Sequence, residues 1–154
     1  MGVLAHPGQV DVRIAARAGS EAEAQELIAP VEVEVRELLG DNIFGEDEET
    51  IETVVGSLLE QRGLTISTYE DLSGGAVADA VQGAANVRFV EGAIVNSNSA
   101  LERIVTAGGE SPPFEHGQAR AEALARAIRK SSGADVGLAV HAVEEGDQRT
   151  ENLG

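Results

Sequence analysis

Within six residues of a single turn the chain places Glu70, Asp71, Ser73, Gly74 and Gly75, residue types from which an anion cradle or a nucleophilic site is built. A serine hydroxyl attacks an amide only when a neighbouring base takes its proton and a donor returns one to the leaving amine. No histidine or lysine lies near Ser73 in the sequence, so plain capping of the following helix competes with a nucleophilic role. Glu70 and Asp71 repel the phosphate that a helix start would otherwise attract. The turn is shaped for an anion and charged for something else.

The flanking segments place this turn where a pocket is expected. Leu64 to Tyr69 is β-branched and aromatic, which suits a strand, and the small apolar run Ala76 to Val81 suits a helix. In open α/β sheets, ligands gather where the carboxyl end of a strand feeds a helix N-terminus, because the first helical N–H groups lack partners there.

Upstream, Val10, Val12 and Ile14 alternate with Gln9, Asp11 and Arg13, the period of a half-buried strand. Ser20 and Glu23 form a capping box that opens a helix through Leu39, kinked at Pro30 and ended by Gly40. A short strand around Asn42 to Phe44 is expected to pair with the first. Gly45 to Glu49 reads as an acidic linker. Its run Glu46, Asp47, Glu48 and Glu49 lacks the alternating ligand spacing and central glycine of a cation loop and suits a helix start. Ile51, Val54, Val55, Leu58 and Leu59 then share one helical face before Gly63.

Downstream, the pattern predicts a helix from Gly74 to about Val81, a turn at Gly83 to Asn86 and a strand from Phe89 to Val95. Asn96-Ser97-Asn98 caps a helix carrying Ala100, Leu101, Ile104 and Val105. After a loop from Ala107 to Pro113, an alanine-rich helix from Glu115 to Ser131 holds Arg120, Arg126, Arg129 and Lys130. Val136 to Val143 reads as an interior strand, and everything after Glu144 is polar. The element order is that of an α/β fold: a layered α/β/α domain with a largely parallel sheet over 46–154, preceded by a small α+β segment over 1–45.

Composition limits the partners. The 154 residues are 42% hydrophobic but 3% aromatic, so the core is built of Ala, Val, Leu and Ile. A net charge of −16 opposes nucleic acid and anionic membranes over a Debye length, roughly 10 Å at moderate salt. Absence of cysteine removes disulfides, thiolate metal sites and cysteine nucleophiles together. No signal-like segment or bilayer-length apolar run is evident, so a soluble cytoplasmic protein is expected. His6, His116 and His141 are too scattered for a ligand motif; His141, following a strand on the pocket side, is the one to mutate.

Several runs in this order and spacing resemble the competence/damage-inducible CinA family: Gly40-Asp-Asn-Ile-Phe-Gly45, Leu58-Leu-Glu-Gln-Arg-Gly-Leu-Thr65, Glu70 with Gly74-Gly75, and Gly92-Ala-Ile-Val-Asn-Ser-Asn98. The resemblance implies a KH-like segment, of which residues 1 to about 45 form the second half, and an α/β C-terminal domain. In active members that domain hydrolyses the amide of nicotinamide mononucleotide without a metal or other cofactor. The family's larger N-terminal molybdopterin-binding-like domain is absent from this sequence, and the chain is expected to stop before the strands that complete the C-terminal domain.

Carried over by position, the family's Glu-Ser-Cys-Thr-Gly-Gly becomes Glu70-Asp71-Leu72-Ser73-Gly74-Gly75, with Asp71 at the nucleophile. Asn96 stands for the family's tyrosine and Leu101 for its lysine, while Ser97 and Asn98 match. The family's glycine-rich third loop is scarcely present in His141 to Gly146. Losing nucleophile and proton carriers together predicts a non-catalytic binding or interaction module. Its ligand set is Glu70, Ser73, Gly74, Gly75, Ser97, Asn98 and His141, its ligand is nicotinamide-nucleotide-like, and it self-associates through an unpaired sheet edge. The alternative is an active amidohydrolase with relocated catalytic groups.

Overall fold

The computed structural model describes residues 1–84, 88–111 and 117–141, in two compact units, Met1–Gly45 and Glu46–Gly154. The expectations at Asn86, at Pro112 to His116 and from 142 onward fall outside the described residues.

In the first unit, β1 (Gly2–His6) and β2 (Gln9–Arg13) form an antiparallel hairpin, paired from Gly2↔Arg13 to His6↔Gln9. Gly8 turns it at φ +79°, in the left-handed region that costs glycine nothing. Helix α1 (Glu21–Leu39) follows and runs as one element through Pro30. Ser20 Oγ accepts from the Glu23 amide at 3.3 Å, whereas the Glu23 carboxylate reaches the amide of Gly19, one residue short of the reciprocal capping bond. The strand expected at Asn42 to Phe44 does not form. Gly40–Asn42 is a 3₁₀ turn, closed by Ile43 N donating to Gly40 O and by Asn42 Nδ2 donating to Leu39 O. The partner of β2 is β1 because the hairpin turn brings it there with no chain to spare.

In the second unit α2 (Ile51–Arg62) opens on Thr50, whose hydroxyl accepts from Thr53 N while Thr53 Oγ1 accepts from Thr50 N. Then come β3 (Ile66–Glu70), α3 (Ala76–Ala84), β4 (Phe89–Ile94), α4 (Asn98–Ala107), α5 (Gln118–Ser132) and β5 (Val136–Val140). The sheet is parallel, in the order β4-β3-β5. Among the described residues β5 is therefore an edge strand, not the interior one its apolar run predicts, and Leu138 is 39% exposed. Helix α3 extends to Ala84, past the turn expected from Gly83.

Every residue of β3 is buried, and its alternation serves two cores. Ile66 packs with Leu59 of α2 and Val81 of α3; Tyr69, on the other face, packs with Ile104 and Val105 of α4 and Leu124, Ala127 and Ile128 of α5. The result is three layers around a central strand. A clasp at its start fixes register: Asp135 Oδ2 accepts from both the amide and the hydroxyl of Thr65, and Val136 N donates to Thr65 O.

Two glycines set how closely α5 approaches its neighbours, β5 and the end of α4. A Cβ at Gly137 would lie 2.0 Å from Ala125 O on α5, and one at Gly108 would lie 2.6 Å from Ala127 O. The obstructing atoms are helix backbone, which cannot swing aside. Gly137→Ala is expected to destabilise the second unit by about 1–3 kcal/mol or more through overpacking, measured by urea unfolding. An unchanged midpoint would show that α5 is not seated on β5 at this distance.

Candidate functional site

The carboxyl ends of β3, β4 and β5 lie side by side, and the connections from them supply the candidate residues. From β3 the chain passes through α3 on one face to reach β4, then returns through α4 and α5 on the other face to β5. Strand order thus reverses between β3 and β5. In open α/β sheets such a reversal is the usual ligand position.

Glu70 ends β3 and is fully buried. Its carboxylate accepts from Ser73 Oγ at 2.6 Å, from Ala78 N at 2.7 Å and from Val77 N at 3.1 Å. It therefore occupies the N-terminus of α3, satisfying helix amides that would otherwise have no partner. Burial alone would raise its pKa; the bonds from Ser73 and from the Ala78, Val77 and Gly75 amides outweigh that and hold it below the ordinary glutamate value. The end of the helix read as an anion cradle already contains the chain's own anion.

The turn geometry makes this capping possible. Gly74 and Gly75 both have positive φ, +66° and +96°, and a Cβ on Gly75 would come within 2.8 Å of Ile94 Cδ1. Ser73 does not cap α3 by accepting a helical N–H: its hydroxyl donates to Glu70, and its carbonyl accepts from Ala76 N at 3.3 Å.

Asp71 and His141 are the residues directly after β3 and β5. Because the strands pair with Glu70 opposite Val140, the next residue on each is brought alongside the other. Asp71 Oδ2 lies 2.5 Å from His141 Nδ1, and the side chains are 18% and 6% exposed respectively. The contact joins residues 70 apart in sequence, so local reading of the turn does not find it. The available signal was that both follow strand ends in a sheet expected to be parallel.

Tyr69 is buried beside this pair. Burial, with the Asp71 charge adding and the Arg120 guanidinium opposing, pushes its phenol up to about 12, so it remains protonated at neutral pH. Leu101 is half-buried against the cluster that contains Tyr69 and Val95, while Asn96 is exposed just past β4. Ser97 caps α4 by accepting from Ala100 N at 3.3 Å, and Asn98 is the exposed first residue of that helix. Among the described residues no three His, Asp or Glu side chains converge as a metal set.

The family model for the CinA C-terminal domain matches residues 48–153, and that for the damage-inducible protein CinA KH domain matches residues 1–45. A Moorella thermoacetica protein with the provisional name competence-damage inducible protein is 36% identical over 147 residues, covering 89% of this chain and 34% of its own length. A CinA-like protein of Kosmotoga olearia is 39% identical over 142 residues, covering 88% and 34%. The chain thus spans about a third of the length of these relatives.

The Glu70 network sets a pH dependence. Its folded pKa is depressed, so its contribution is fully present above the unfolded glutamate value, about 4.3, and is lost as pH falls through the folded value. Glu70→Gln is expected to cost about 2–3 kcal/mol at pH 7. In urea unfolding, the gap between variant and native protein closes as pH drops below about 4; a gap independent of pH would mean that the carboxylate charge does not hold α3.

Proposed function

The chain belongs to the CinA family of competence-damage inducible proteins, and on that premise we propose that residues 46–154 are a non-catalytic binding module. The module takes a nicotinamide-nucleotide-like small molecule at the carboxyl end of its sheet. The observation that carries this reading is the position of the Ser73 hydroxyl, which donates to a carboxylate already engaged by helix amides. Held below its ordinary pKa, Glu70 is a poor base for that proton. Asp71 in the nucleophile's place, exposed Asn96 in the tyrosine's and core-packed Leu101 in the lysine's argue the same way. A second reading, an amidohydrolase with relocated groups, has the Asp71–His141 contact in its favour.

The module acts in the cytoplasm, away from nucleic acid and membranes; the net charge of −16 supports this, and no described helix is long and apolar enough to cross a membrane. It self-associates through a sheet edge, an inference supported by apolar Val90 and Ile94, 48% and 50% exposed on β4. Light scattering over a range of protein concentrations is expected to show a dimer or larger species, and a monomer throughout would refute it.

Calorimetry with nicotinamide mononucleotide, run beside an assay for released ammonia, tests the main reading. Binding without turnover is expected. Turnover in the ordinary enzymatic range, about 1–10³ s⁻¹, lost in both Asp71→Ala and His141→Ala, would replace the first reading with the second.

A further inference from the structure

The two units differ in what holds them. No residue from Met1 to Gly45 is buried, whereas the second unit closes on two apolar clusters. A helix draws most of its stability from a packed face. Helix α1 has a half-buried stripe that includes Ile28, Val31 and Val35 but not one buried residue. Its own sequence adds little, since Pro30 removes a hydrogen bond inside the helix and Val31, Val33 and Val35 are stiff β-branched residues.

Charge works against it as well. From Glu21 to Glu52 the chain carries twelve carboxylates and one base, Arg36, which is most of the net charge of −16. Glu34 and Glu37 are exposed, lie one turn apart and approach the C-terminal end of α1, where the helix dipole is also negative. Against these stands the Glu32–Arg36 pair at 2.9 Å. In the second unit the corresponding groups are met: Glu70 by helix amides, Glu110 by Lys130 at 2.6 Å and Asp135 by Thr65.

We propose that α1 is an order–disorder element set by ionic strength, folded when salt screens the carboxylates between Glu21 and Glu52 and unwound when it does not, while the second unit stays folded throughout. The lengths match this mechanism. A helix of 19 residues is about 28 Å long. At about 0.01 M salt the screening length is about 30 Å, so every carboxylate on α1 repels every other; at about 1 M it is about 3 Å, shorter than the spacing of neighbours one turn apart. Order in the first unit thereby becomes a readout of the ionic surroundings. The element lies outside the binding module, so the two readings stand or fall separately.

Hydrogen exchange followed by NMR on the full 154-residue chain tests this, with rates referenced to the unfolded chain in the same salt. Between about 0.01 M and 1 M sodium chloride, protection of the Val31 and Val35 amides is expected to rise at least about tenfold, and that of Thr68 and Tyr69 in β3 to change less than about twofold. The double variant Glu34→Gln with Glu37→Gln is expected to reach the native high-salt protection at lower salt, because two of the opposing charges are gone.

Protection of α1 that is the same at both salt concentrations would overturn the inference. So would an equal gain in β3, which is the mark of salt strengthening apolar burial everywhere rather than screening one helix. A double variant that follows the native salt profile would overturn it too, since the carboxylates would then not be what salt acts on.

Discussion

A carboxylate with no access to water must have its charge met by the protein, and Glu70 meets this requirement through the head of α3. The rest of the carboxyl end follows from that requirement. The turn after β3 has to fold back tightly enough to bring the Val77 and Ala78 amides onto the side chain at the end of the same strand. Two successive positive-φ glycines allow it, a backbone conformation that residues with a Cβ rarely adopt. Ser73 contributes a third donor. The turn that looks like a phosphate cradle is a self-satisfied helix cap.

Such a cap changes what the carboxyl ends of the strands can accept. With the α3 amides engaged, an incoming anion has to displace Glu70 or bind elsewhere, and the neighbouring Asp71 makes the approach less favourable still. At the reversal of strand order Asp71 meets His141, a largely buried pair backed by Tyr69 and the α4–α5 core. That core packs closely because Gly108 and Gly137 let helix backbone approach where a methyl group would collide.

Much of this architecture was legible because it is local. Apolar periodicity marked α2 and α5, β-branched residues marked β3, and Ser97 and Gly63 marked helix ends. Misreadings arose where a local signal had two outcomes. Ser73 before a helix has the composition of a cap, yet the buried carboxylate three residues earlier takes the Val77 and Ala78 amides itself and accepts from the hydroxyl as well. The run Val136 to Val143 is apolar enough for an interior strand, but hydropathy does not encode strand order, which is set by the crossover through α4 and α5. The hairpin partner of β2 was missed because Gly2–His6 is short and exposed throughout, leaving no alternation to read. The Asp71–His141 contact is non-local and becomes predictable only once β3 and β5 are known to be neighbours in register.

That register also orders events during synthesis. As the chain leaves the ribosome, β3, α3 and β4 emerge together and can assemble from contacts close in sequence, whereas β5 arrives only after α4 and α5 have been made. The Glu70 cap needs nothing beyond Ala78 and can form early. The histidine contact waits until the last described strand docks beside the first one of the sheet, so it forms after the contacts that β3, α3 and β4 make among themselves.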